Sequence, residues 1–215
     1  KAQLRVFDRT RLFPERFYRL GVVSVVLMGL SVIVTLVTAF GRGESFPKWF
    51  AMANFVVDGS FIRYTSLTQV LQDGEVWRLF TPVFVHMNWL HLLFNLLWLK
   101  DLGSLVEQRL GPWKFLALVA LIAALPNIGE FLANGPRFGG MSGVVYGLFG
   151  YIWIRNRFDP GGGFFLDPTT ITIVLAWYFL CLLGVIPNVA NVVHTVGLSL
   201  GMLAGFLSAL AARRR

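Results

Sequence analysis

Apolar residues gather in six long stretches, at about 17–40, 89–110, 113–132, 141–154, 171–186 and 189–210, separated by short segments rich in glycine, proline or charge. Runs of this length and continuity are helix signals, and lipid admits only helices or closed barrels. The pattern therefore predicts an all-α polytopic membrane protein, a bundle of six transmembrane helices. An inner N-terminal segment (1–16), a membrane domain (17–210) and a basic tail (211–215) follow from the same division. Between Gly41 and His86, Trp49, Phe50, Phe55, Phe61, Tyr64, Trp77, Phe80 and Phe84 alternate with polar residues, as suits a long outer loop lying in the membrane interface. Residues 161–163 read as a plain turn. No second soluble domain, internal repeat or low-complexity tract stands out.

Composition supports the pattern: 56% of the 215 residues are hydrophobic and only 14% charged. That balance excludes a disordered chain and, despite a net charge of +8, a nucleic-acid module. With six spans both ends share one side. Placing them inside puts the greater share of the 19 Lys and Arg in short inner segments, so the basic excess reads as topology. A lone cysteine, Cys181, excludes an intrachain disulfide and a cysteine-based zinc site. The first stretch is too long for a signal peptide's apolar core and is expected to remain as an anchor. A sequence opening on Lys1 is expected to have been trimmed.

The chemistry lies in polar residues where lipid should be. Ser142 stands thirteen residues before the basic flank at Arg155, about 20 Å of helix against roughly 30 Å of hydrocarbon, so it is expected about 10 Å below the outer surface. It opens a helix behind Gly139 and Gly140, where free backbone N–H groups point into the adjacent space. That is how a nucleophile sits beside an oxyanion-binding amide. The alternative is packing, since Gly143, Gly147 and Gly150 form a stripe of small residues. His194 is an ionisable group within a span, which usually lines a wet cavity or meets a partner. Gly197, Gly201 and Gly205 share its face, so the two glycine stripes invite close approach, with Ser142 and His194 at similar depth. A purely structural histidine is the other reading. No acid on either helix completes a triad, so a dyad is expected, with Tyr146 one turn below Ser142 offering a ring for the imidazole to pack on. His91 and Asn95, at i and i+4, bring two donors to one face: either an oxyanion site or an interhelical hydrogen-bonding pair. His86 and Asn88 read as interface residues. The three histidines lack a carboxylate or thiolate companion, so no metal and no cofactor is expected.

Several motifs together resemble the rhomboid intramembrane serine proteases, most closely their bacterial GlpG type: Trp77 with Arg78, His91 to Trp98 with Asn95, Phe138 to Tyr146 around Ser142, and His194 followed by Gly197 and Gly201. The resemblance covers nearly all the chain. It implies a rhomboid-like bundle with Ser142 as nucleophile and His194 as general base. His91, Asn95 and the Ser142 amide would form the oxyanion hole, with Tyr146, Gly140, Gly143, Gly197 and Gly201 in support. It further implies that Glu107 and Arg109 match a structural Glu-x-Arg, and that the fifth helix (Trp177, Phe179) and the loop at 186–189 act as gate and cap. Val192 and Val193 depart from the small residue usual before the histidine, and Gly147 from a frequent alanine; such bulk is expected to loosen the helix contact. A soluble N-terminal domain, common in this type, is expected to be absent or removed.

The implied activity is cleavage of transmembrane segments near their outer ends, through an acyl-enzyme, in a bacterial inner membrane, with both termini cytoplasmic and the site open outward. The implied partners are transmembrane substrates and the bilayer, with no nucleic acid and no indicated oligomeric state. A catalytically silent rhomboid-fold protein that binds transmembrane helices is the alternative. A proton-coupled transporter using His194 lacks an acidic relay on the last three helices.

Overall fold

The computed structural model describes residues 19–213. The expected inner segment 1–16, the start of the first stretch at Phe17 and the last two residues of the basic tail lie outside these. The described chain is mostly helical: α1 (Val22–Val37), α2 (Leu67–Gln72), α3 (Trp89–Trp98), α4 (Ser104–Leu110), α5 (Pro112–Asn134), α6 (Ser142–Phe158), α7 (Pro168–Leu182) and α8 (Asn191–Arg213). A π-helical turn, Leu99–Gly103, joins α3 to α4 so that 89–110 is one nearly continuous helical run. By length and composition α5 and α8 can each cross a membrane, and α1 and α7 are apolar but shorter.

Helix ends differ from the expected ones for local reasons. The chain leaves α1 at Val37 rather than 40, because Ala39 and Phe40 adopt left-handed backbone at φ 46° and 57°. Pro168 opens α7 three residues early, with the Asp167 side chain accepting from Thr169 N at 2.8 Å; proline at the first helical position sacrifices no hydrogen bond. At its other end α7 stops at Leu182, short of 186, and Gly184 turns at φ 75°. Helix α6 runs to Phe158, four residues past the expected end, because Arg155 folds inward while only Arg157 stays exposed. Arg155 is buried, pairs with Asp159 and lies over the Phe164 ring at 5.4 Å. The plain turn at 161–163 is a 3-10 turn, Pro160–Gly162, closed by Gly163 at φ 75°.

The all-helical expectation fails in the connection between α1 and α3. There β1 (Phe55–Asp58) and β2 (Phe61–Tyr64) pair antiparallel, Phe55 opposite Tyr64 and Asp58 opposite Phe61. Gly59 turns the hairpin at φ 60°, the conformation a two-residue loop requires. Arg78, in the segment expected to lie as an outer loop in the interface, is fully buried. Its guanidinium bonds Glu75 at 2.6 Å and donates to the carbonyls of Pro47, Ala51 and Lys48, so one side chain ties the segment together.

Helix α6 is the centre of the core, buried without interruption from Gly143 to Ile152. Its tightest neighbour is α8. A Cβ added at Gly197 would overlap the Gly143 carbonyl, one at Gly201 the Gly147 carbonyl, and one at Gly150 would lie 2.6 Å from Leu198 O. Backbone therefore rests on backbone along this seam. The expected loosening by Val192 and Val193 does not occur: Val193 fills the space over Gly143, and Val192 lies against Gly129. Glu107 of α4 anchors α1 by accepting from Val23 N, Ser24 N and Ser24 Oγ, each at 2.9 Å. Arg109 lies against Gly163.

Candidate active site

Three pieces of chain converge on the start of α6. The loop before it is pinned on one side, with Gly140 N donating to Pro82 O at 3.0 Å and Met141 N to His86 Nε2 at 3.3 Å. A Cβ at Gly139 would stand 2.7 Å from Val85 O, and one at Gly140, where φ is 124°, 2.5 Å from His91 Cε1. Only glycines let the loop pass between these groups. Ser142 is then the first residue of α6, as the spacing predicts.

From the other side, α8 delivers His194, 6% exposed, whose Nε2 lies 2.8 Å from Ser142 Oγ. The imidazole packs on the Tyr146 ring, with centroids 4.6 Å apart and planes at 42°. Tyr146 is in turn met edge-on by Tyr178 of α7 at 5.7 Å. Helix α7 is tied to α8 by two hydrogen bonds, Tyr178 Oη with Thr195 Oγ1 at 2.9 Å and Asn191 Nδ2 to Cys181 O at 3.0 Å. Trp177 and Phe179 of α7 are exposed. Tyr146 and Tyr178 thus back the imidazole with two successive rings, and among the described residues His194 Nδ1 has no partner.

His91 and Asn95 occupy one face of α3 but are not equally engaged. The His91 ring lies against the bare Gly140 backbone, next to the Ser142 turn. Asn95 is buried and turns its Nδ2 along its own helix to His91 O at 2.8 Å. That bond uses one of the two amide N–H groups, leaving the second for an incoming oxyanion.

Three residues near the site were read differently from the sequence or passed over. His86 is fully buried, not an interface residue. Its Nδ1 lies 3.2 Å from both Thr35 Oγ1 and Phe84 O, and its ring meets that of His91 edge-on at 4.9 Å. Burial first, then the nearby His91, pushes its pKa down to about 3. The ring is therefore neutral, with Nε2 free to accept from Met141 N and the proton on Nδ1. Asn88 caps α3, its Oδ1 accepting from His91 N at 2.8 Å. Glu130 of α5 brings a carboxyl to α8, accepting from Val193 N at 3.1 Å. An acid inside an apolar helix was the available signal for it.

A family model described as the rhomboid domain matches residues 73–210. The chain belongs to the rhomboid family. The rhomboid match takes in Arg78, His86, His91, Asn95, Glu130, Ser142 and His194, whereas α1 and the hairpin precede it. Rhomboid protease GlpG of Enterobacter sp. (strain 638) is 41% identical over 144 residues, which cover 66% of this chain and 51% of that protein. The proteins of the same name from Salmonella newport (strain SL254) and Salmonella heidelberg (strain SL476) match to the same extent. The chain spans about half the length of these curated relatives, and within the rhomboid family it falls with the GlpG type.

Proposed function

We propose that this rhomboid is an intramembrane serine endopeptidase that cleaves transmembrane segments near their outer ends. The observation that carries the reading is the 2.8 Å contact between Ser142 Oγ and His194 Nε2. A hydroxyl within hydrogen-bond reach of an imidazole base is the arrangement that activates a nucleophile. Ser142 Oγ adds to the scissile carbonyl carbon while its proton passes to His194 Nε2. The tetrahedral oxyanion is met by His91, by the second N–H of the Asn95 amide, and by the Ser142 amide at the head of α6. Collapse breaks the C–N bond, His194 returns the proton to the departing amine, and an acyl-enzyme remains. A water molecule, deprotonated by His194, then releases the acid and restores Ser142. No metal or cofactor enters these steps.

The six apolar stretches span a bacterial inner membrane in this reading, both termini are cytoplasmic, and the site opens outward. The 41–86 segment lies at the outer interface. A helical substrate shields its peptide bonds with its own hydrogen bonds, so it must unwind at the site and enter sideways from lipid. Helix α7 and the 186–189 loop are the elements that move to admit it.

The test is cleavage of a single-span reporter co-reconstituted in vesicles. Loss of cleavage in both Ser142→Ala and His194→Ala supports the reading. A folded wild-type protein that binds the reporter and never cuts it supports a silent helix-binding protein.

A further inference from the structure

His194 is held from the front but not from behind. Its Nε2 faces Ser142, one ring face lies on Tyr146, and Nδ1 has no partner among the described residues. In a triad an acid would fix the imidazole plane at Nδ1. Here the orientation of the ring depends on the backbone turn from which it projects. That turn is the first of α8, where N–H groups lack intrahelical partners, and its own closing bond, His194 N to Ala190 O, is long at 3.3 Å.

Glu130 supplies what the turn lacks. It projects from α5, is 3% exposed, and commits both oxygens: Oε1 accepts from Asn134 Nδ2 at 2.8 Å, and Oε2 from Val193 N at 3.1 Å. Val193 is the third residue of α8, so its N–H is one of those with no partner in the helix, and it immediately precedes His194. A carboxyl at a helix N-terminus is favoured by both the free N–H and the helix dipole. Acidic residues in apolar spans are costly and tend to be functional. Two hydrogen bonds, one from its own helix and one from α8, hold this one in place. Val193 itself is clamped over Gly143, so the segment carrying His194 is fixed from α5 and α6 together.

We propose that Glu130 is a positioning residue for His194, capping the first turn of α8 from a neighbouring helix and thereby setting the direction of the imidazole toward Ser142. The assignment rests on the reading of Ser142 and His194 as nucleophile and base. Glu130 touches neither substrate nor reacting atoms and acts through the Val193 amide.

The experiment compares wild type, Glu130→Leu, Glu130→Gln and Ser142→Ala in vesicles, with kcat and KM for a single-span reporter and thermal unfolding of each. Glu130→Leu, which removes the acceptor, should lower kcat by about tenfold or more with KM changed less than about twofold. Glu130→Gln keeps an oxygen that can take the Val193 N–H and should recover kcat to within about threefold of wild type. If Glu130→Leu does not fold, Glu130→Asp keeps the acid but is too short to reach, and should show the same kcat loss. Wild-type kcat in a folded Leu or Asp variant overturns the proposal. So does a loss confined to KM, or a Gln variant as impaired as Leu. Those outcomes leave the protease reading intact so long as Ser142→Ala is dead. Cleavage by Ser142→Ala overturns that reading and this assignment with it.

Discussion

Gly201 is two turns along α8 from His194, and replacing it by alanine tests how the site is held. The added Cβ would overlap the Gly147 carbonyl and lie 2.7 Å from Gly147 Cα. Non-bonded carbons rest about 3.5 to 4.0 Å apart, so α6 and α8 must separate by roughly 1 Å at this level. Both partners are helix backbone, so no side chain can swing aside to absorb the strain. Overpacking of this kind costs about 1 to 3 kcal/mol, and a backbone clash belongs at the upper end. For a chain of this size that corresponds to a melting temperature lower by roughly 6 to 12 °C. The same separation opens the Ser142–His194 contact, and a misplacement of about 1 Å can cost on the order of a hundredfold in rate. Gly29→Ala in α1 is the control, because a Cβ there meets nothing within 4 Å. It should be neutral or stabilising by about 0.5 to 1 kcal/mol. Thermal unfolding in detergent and cleavage of a transmembrane reporter measure both effects. A Gly201→Ala protein that melts and cleaves like wild type would refute the close backbone seam.

Asn95→Ala should lower kcat by about a hundredfold with the melting temperature little changed, and unaltered turnover removes Asn95 from oxyanion binding. Arg78→Met keeps the length of the side chain but strands Glu75 and three carbonyls, so it should destabilise by about 3 kcal/mol or more in a detergent melt; a wild-type melt contradicts the anchoring role. His86 has a folded pKa of about 3 against 6.5 when free, so the unfolded chain binds the proton more tightly. Stability from this residue should be complete above about pH 6.5 and decline as pH falls toward 3. Melts across that range should decline less steeply in His86→Gln, and identical slopes refute the argument.

What the sequence disclosed and what it hid separate along physical lines. Periodicity is local, so the shared face of His194, Gly197 and Gly201, and the position of Ser142 at a helix start behind two glycines, were legible from spacing alone. The hairpin at Phe55 to Tyr64 was legible too, since Asp58 and Gly59 between apolar residues are a turn signal, but aromatic alternation was read as interface. The burial of Arg78 and Arg155 is not legible, because a cation looks the same in sequence whether it meets water or folds inward onto a carboxylate, as both do here. His86 and Glu130 act across 55 and 63 residues of sequence on Met141 and Val193; an acid within an apolar helix marks Glu130 as unusual, but nothing local names the amide either residue meets. The bulk of Val193 looked like a defect only because the bare Gly143 surface that receives it lies on another helix.

The central claim is that Ser142 is a nucleophile activated by His194. Labelling the reconstituted protein with a fluorophosphonate, followed by peptide mapping of the adduct, tests it most directly. The account predicts a single adduct on Ser142 Oγ, absent in Ser142→Ala and abolished or strongly slowed in His194→Ala. Equal labelling in His194→Ala, or an adduct on any other residue, contradicts it.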